Sequence, residues 1–153
     1  MRLAFARAEN CDDLARIHAR AFDASWGPAQ MSALLTGPGV FALIAYHGEA
    51  AAGFILARTA AGEAEVLTLA VEPNHRRLGL GLALIGGAVG AAAKLGARSL
   101  FLEVAMDNRE ALGLYRKVGF AVVGGRKGYY DCGSTDAVVM RLDLNSGPAS
   151  PYH

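Results

Sequence analysis

The chain has little cysteine. Cys11 and Cys132 are its only two, too few for a disulfide framework and not at the paired spacing of a zinc site, so free thiols in a reducing compartment are expected. Cys132 has no histidine in its local sequence and reads as an inert surface thiol before a nucleophile. The chain also lacks an excess of one charge. Fifteen Lys and Arg against 14 Asp and Glu leave +1, with no broad basic field to hold a nucleic-acid backbone, so no nucleic-acid partner is expected. Long apolar runs are missing too. The uncharged stretch 78–93, flanked by Arg76, Arg77 and Lys94, falls short of the roughly 18 apolar residues of a span and contains several glycines. It reads as a buried helix, and no membrane partner is expected. Residues 1–8 have no apolar signal core, so a cytoplasmic protein is expected. His18, His47 and His75 form no metal-ligand spacing, and no metal is expected.

What is present fits one domain. At 153 residues the chain can bury one substantial core, and 53% apolar with 19% charged residues is ordinary globular composition. Leu3 and Phe5 open with strand-like alternation. Asn10 followed by Asp13 offers an N-cap with an acid three positions on. Leu14, Ile17, Ala21 and Phe22 recur at helical spacing, leaving Asp12, Asp13, Arg16 and Arg20 to face water. Trp26-Gly27-Pro28 breaks that helix, and residues 29–35 suit a second. Residues 40–46, 52–59 and 65–71 read as strands separated by turns at Gly48 and Gly62. After Pro73 the pattern becomes a long helix ending near a Gly96 cap. A strand over 99–105, a helix over 108–118 and strands near 120–124 and 135–144 complete the order. This predicts a single α/β domain over residues 1–144, its mixed, mostly antiparallel central sheet flanked by helices. Residues 145–153, rich in Ser, Pro and Gly, are expected to form a flexible tail.

Between the third of those strands and the long helix, Val71-Glu72-Pro73-Asn74-His75-Arg76-Arg77-Leu78-Gly79-Leu80-Gly81 places two glycines beside two arginines. Gly79 and Gly81 let backbone approach a ligand closely, and the free N–H groups and positive dipole end of a helix start favour an anion. No Gly-Lys-Ser/Thr follows, and the three-glycine dinucleotide fingerprint is absent. Spacing alone therefore leaves two readings, a phosphate cradle or a tight corner with solvated arginines.

Downstream stand Leu102-Glu103-Val104, Asn108, Leu114-Tyr115 and Gly119-Phe120. Leu100, Leu102 and Val104 share one strand face, with Phe101, Glu103 and Ala105 on the other. A carboxylate in an apolar strand is expected to have a raised pKa and to serve as a base near neutral pH; a strand-end glutamate in a salt bridge or in water fits the same pattern. Asn108 and Tyr115, seven apart, project from one helix face with Leu112 between them packing inward. Alternatively, Asn108 caps its helix and Tyr115 is a core aromatic. Tyr129 and Tyr130, after Gly128, either wall a groove or hold their loop.

The two segments together carry a resemblance. A Val71-x-Pro73 strand end followed by Arg76, two residues, Gly79, one residue and Gly81 resembles the acetyl-CoA pyrophosphate loop of the GNAT superfamily. Leu102-Glu103-Val104, Asn108, Leu114-Tyr115, Gly119-Phe120, Arg126, Tyr129-Tyr130 and Asp136-Ala137 are similar to the RimI type of N-terminal acetyltransferase within it. The resemblance covers nearly the whole chain and is strongest over residues 67–140. It implies a GNAT-type fold with acetyl-CoA as cosubstrate. Main-chain groups of Leu69 and Val71 would pair with the pantetheine arm, Arg76, Arg77, Leu78, Gly79 and Gly81 would surround the pyrophosphate, and Asn108 would join the cofactor site. Glu103 is implied as general base and Tyr115 as general acid. Trp26, Tyr129 and Tyr130 are implied on the acceptor side, and the acceptor would be the N-terminal α-amine, on alanine, of a small-subunit ribosomal protein. Two positions depart from the type: Ser25-Trp26-Gly27-Pro28 stands where Pro-Trp-Ser is expected, and Ala105 where arginine is. A lysine side chain or small-molecule amine is the alternative acceptor. A non-catalytic coenzyme A sensor is a third reading, and it would have lost the base or the acid, both of which are present.

Overall fold

The computed structural model describes residues 1–23, 25–76, 78–130 and 135–144, with 126–130 and 135 as backbone. Its elements are β1 (Arg2–Phe5), α1 (Cys11–Ala21), α2 (Pro28–Leu35), β2 (Val40–His47), β3 (Ala50–Ala60), β4 (Glu63–Val71), α3 (Leu80–Lys94), β5 (Ser99–Ala105), α4 (Arg109–Val118), β6 (Ala121–Tyr130) and β7 (Thr135–Asp143). The strands make one sheet in the order β1-β2-β3-β4-β5-β7-β6. Among the described residues only β4 and β5 pair in parallel, joined by the crossover through α3. The α/β, mostly antiparallel architecture is the one expected.

Two apolar clusters sandwich the central strands. On one face Leu43, Ala45 and Ile55 pack with Leu84, Ile85 and Ala88 of α3 and with Tyr115 of α4. On the other, Ile44, Phe54 and Leu56 pack with Leu14 and Ile17 of α1 and Met31 of α2. Strands covered on both faces read as continuous apolar runs rather than alternations, which is the pattern of β2 and β3. Each fully buried Leu, Ile or Phe contributes about 1.5–3 kcal/mol of transfer free energy. Gly87 lets α3 lie close on the sheet: a Cβ there would stand 2.9 Å from Leu43 Cδ1.

Four expectations are corrected. The helix expected after Pro73 begins only at Leu80. Pro73–His75 is a single 3-10 turn, and Gly79 sits at φ +79°, a left-handed conformation that no α-helix can pass through. Asn10 is the residue before α1, but its Oδ1 accepts from Arg7 N at 2.8 Å instead of capping the helix. Phe22 is not core: α1 ends at Ala21, and Phe22, in extended backbone, is 41% exposed. The sixth strand runs on to Tyr130 because β7 templates it, with Tyr130 opposite Thr135, and the register shifts twice on the way, at Val123 and again between Arg126 and Tyr130. Tyr129 and Tyr130 thus lie on a strand beside the hairpin end, and their side chains are outside the described residues, as are Arg77, Cys132 and the tail 145–153.

Candidate active site

The sheet splits where the site forms. Parallel pairing of β4 with β5 covers only Glu63↔Ser99 to Glu65↔Phe101. Immediately beyond, Leu56 pairs with Thr68 and Ala57 with Val66, so Leu67 is an extra residue bulged out of β4. A bulge bends its strand and sharpens the local twist, and from there β4 and β5 diverge. The gap is a cleft of about 830 Å³ walled by β4 from Val66 to Val71, by Leu102, Glu103, Val104 and Ala105 of β5, by the start of α3 and by one face of α4. That volume suits a small-molecule ligand.

The backbone of β4 presents hydrogen-bonding groups to the cleft. Glu72 N donates to Ala52 O of β3 at 2.8 Å. Because successive residues of a strand point their N–H and C=O groups to opposite edges, Val71 and Leu69 direct theirs away from β3, into the gap. An extended, amide-bearing ligand can therefore add to β4 as a strand would.

At one end of the cleft stands the N-terminus of α3. The first bond of its ladder is Ala83 N to Gly79 O at 3.0 Å, so the N–H groups of Leu80, Gly81 and Leu82 have no partner within the helix. All three residues line the cleft, with Gly79, His75 and Arg76. Space around Gly79 is open. Gly81 faces α4, where a Cβ would lie 3.4 Å from Leu114 Cδ2. The positive end of the helix dipole and the Arg76 guanidinium both favour a phosphate here. Leu78 is half-exposed and does not line the cleft. Among the described residues the buried Nδ1 of His75 has no hydrogen-bond partner.

The opposite wall holds Asn108, Ala111, Leu114 and Tyr115 of α4. Asn108 borders the cleft and also caps its helix, its Oδ1 accepting from Ala111 N at 3.1 Å. The capping reading of Asn108 holds, and the cap leaves the residue at the rim of the cleft. Leu112 packs inward against the core, leaving Ala111 as the residue between Asn108 and Tyr115 on the cleft face. Tyr115 is 8% exposed and packs edge-on against Phe120 at 5.8 Å. Burial pushes its phenol up to about 12, so it stays protonated, and a hydrogen-bond donor, across the neutral range. Glu103 is half-buried and lines the cleft between Leu102 and Val104, which border it from the core side.

Of the sequence-derived site residues, Leu69, Val71, Arg76, Gly79, Gly81, Glu103, Asn108 and Tyr115 all line this one cleft. Trp26 does not. It stacks on His18 with ring centroids 4.4 Å apart. Sequence reasoning missed Phe22 and Ala21, which close the cleft from the end of α1, and His75 and Lys117. The α4 residues carried a usable signal in the i, i+3, i+7 spacing from Asn108. Phe22 carried none, since its place depends on how α1 docks.

Comparison with known proteins agrees with this geometry. Residues 11–120 match the acetyltransferase (GNAT) family. A Bacillus subtilis protein named putative [ribosomal protein bS18]-alanine N-acetyltransferase is 31% identical over 140 residues, covering 91% of this chain and 93% of that protein. The N-alpha-acetyltransferase RimI of Mycobacterium tuberculosis is 35% identical over 152 residues, covering 90% and 87%. Among solved structures, the ribosomal-protein-S18-alanine N-acetyltransferase from Escherichia coli superposes with a TM-score of 0.88 at 25% identity, covering 99% of both chains. The chain belongs to the GNAT family and is an acetyl-CoA-dependent N-acetyltransferase.

Proposed function

We propose that the protein acetylates the N-terminal α-amine of a ribosomal protein, with alanine as the receiving residue, in the cytoplasm. The observation that carries the reading is the convergence of a half-buried carboxylate, Glu103, and a protonated phenol, Tyr115, on the cleft whose other wall is the open edge of β4. The names and coverage of the relatives supply the acceptor. Acetyl-CoA fits what is present, with amide-pairing groups at Leu69 and Val71, an anion site at the α3 start with Arg76, and Asn108 at the α4 rim. Arg77 and Leu78 belong to the same proposed loop, and Tyr129 and Tyr130 to the proposed acceptor side.

When bound, acetyl-CoA supplies the thioester carbonyl. Glu103, directly or through a water, takes a proton from the amine as the N–C bond forms. The Val71 N–H, directed into the gap, donates to the carbonyl oxygen as its charge grows. Tyr115 gives its proton to the sulfur as the C–S bond breaks. With a phenol near 12 against a thiol near 8.5, the phenolate is the less stable product, so Tyr115 recovers a proton at once from the amine side or from solvent. The α-amine, with a pKa of roughly 8, is partly neutral at pH 7, whereas a lysine amine near 10.4 is almost wholly charged. This favours peptide N termini.

The test is thiol release from acetyl-CoA with short peptides bearing free Ala, Ser or Met N termini, the same peptides α-blocked, and polyamines. Release confined to free Ala-type termini is expected, and turnover of blocked lysine peptides or polyamines would discard the acceptor while keeping the reaction. Glu103→Gln should lower kcat roughly a hundredfold, and Tyr115→Phe should lower it as well, each with acetyl-CoA affinity by calorimetry nearly unchanged. Wild-type kcat in both variants would remove these roles.

A further inference from the structure

The His18 side chain is 3% exposed and does not itself line the cleft. Its Nδ1 accepts a hydrogen bond from Trp26 N at 3.1 Å, its ring stacks on Trp26 at 13° between planes, and it packs on Phe22 at 4.6 Å and on Phe54 at 6.3 Å. Phe22, the first residue after α1, is a wall of the cleft. One buried imidazole therefore joins the end of α1, the segment leading to α2, and the sheet. Accepting at Nδ1 requires the neutral ring, with the proton on Nε2. The rings packed on it, Phe22 and Trp26 from the segment after α1 and Phe54 from β3, are uncharged. The cations of its own helix, Arg16 and Arg20, are drawn instead to Glu72.

We propose that His18 is a positioning residue for the acceptor: its neutral ring, anchored outside the cleft by the Trp26 N–H, holds Phe22 in place as a wall of the cleft, and protonation releases that wall while leaving the acetyl-CoA side intact. The inference rests on the reading of the cleft given under Proposed function. Imidazolium carries a proton on both nitrogens, so Nδ1 would confront the Trp26 N–H donor to donor. Burial acts in the same direction, lowering the pKa of His18 from its ordinary 6.5.

The chain contains one tryptophan, so its emission reports on this contact alone. Wild-type emission should change as pH falls below about 6.5, through loss of the stack and quenching by imidazolium, and His18→Leu should abolish that titration. At pH 7.5 with saturating acetyl-CoA, His18→Leu should raise the acceptor KM about fivefold to tenfold, the size of one lost buried hydrogen bond. Its kcat and acetyl-CoA KM should stay within about twofold of wild type. His18→Asn, which places an acceptor oxygen near the Nδ1 position, should recover part of the lost affinity. An unchanged acceptor KM in His18→Leu, or equal KM in the Leu and Asn variants, overturns the positioning role. If the Leu variant does not fold, the wild-type emission titration and the Asn variant decide: pH-independent emission counts against the proposal. Failure of the wild type to acetylate any peptide removes the functional reading and the positioning role together, whereas wild-type turnover with an unmoved KM in the variants removes the positioning role alone.

Discussion

Gly79 and Gly81 stand two residues apart in the anion loop and do different things. Gly79 lies at φ +79° with nothing within 4 Å of where a Cβ would be, so its requirement is conformational. A side chain there costs roughly 1–2 kcal/mol of backbone energy. Gly81 is inside α3, and its Cβ would make an ordinary contact with Leu114. Gly81 is only the second residue of the helix, so the preference of alanine over glycine there is smaller than the roughly 1 kcal/mol of a helix interior but has the same sign. Gly79→Ala should therefore lower stability in urea by about 1 kcal/mol and weaken acetyl-CoA binding, because the N–H groups that follow it are re-aimed. Gly81→Ala should fold at least as stably as wild type. Its effect should appear only in acetyl-CoA affinity, since the added methyl enters the α3–α4 side of the cleft. Equal stability losses in both would contradict the distinction.

At the scale of elements, α1 is held to the end of β4 by an ion-pair cluster that its helical pattern did not reveal. Glu72, 6% exposed, receives Arg16 and, at 2.6 Å, Arg20 Nε, and Arg16 Nη2 also donates to Ala51 O at 3.2 Å. The arginines are about half-exposed and can return to water, but the carboxylate cannot. Removing the partners of a buried charge costs more than removing the charge itself. The double variant Arg16→Ala with Arg20→Ala should thus destabilise by about 3 kcal/mol, and Glu72→Gln by about 1 kcal/mol. Urea midpoints with the reverse order would show that the cluster is not held through Glu72. Elements whose apolar pattern is local were legible beforehand. β5 alternates cleanly, and α4 has its cap at Asn108 and a left-handed stop at Gly119. What was not legible lies where a distant partner decides. Arg16 and Arg20 look solvent-facing until Glu72 is brought up beneath them, and Phe22 keeps the helical spacing although α1 has already ended. β6 looks broken by Gly124 and Gly125 until β7 carries it through. The candidate site was mostly legible because its anion loop and its α4 face are each contiguous in sequence. Its third wall, the end of α1, is not.

For the molecule as a whole, two buried rings each contribute a pH dependence to stability. The unfolded chain takes up a proton at His18 below about 6.5 more readily than the fold does, so stability falls as pH drops from there. Tyr115, held protonated up to about 12, favours the fold fully below 10 and loses that contribution as pH rises from 10 toward 12. Urea unfolding free energies should be flat with respect to these two groups between those limits and decline on both sides. His18→Leu should shed its share of the acid slope, and Tyr115→Phe its share of the alkaline one.

The split in the sheet has a further consequence at this scale. β4 and β5 share only three register pairs before they part, so the halves β1–β4 and β5–β7 are joined by that short ladder, by α3 and by the cores. A ligand lying in the gap would reach β4, the α3 start and α4 together and would act as the missing stretch of ladder. Acetyl-CoA at a hundred times its Kd should stabilise the fold by about 2.7 kcal/mol, raising Tm by roughly 6–10 °C for a chain of this size. Amide exchange should place the gain. Leu69 and Val71, whose N–H groups are directed into the gap, should slow strongly, and so should Leu80, Gly81 and Leu82. The amides of β1 and β2, which lie two strands or more away, should change only by the global increment. Protection spread evenly over the chain would mean that the ligand acts through overall stability alone. Protection confined to α1 and α2 would put it in a different place from the gap between β4 and β5.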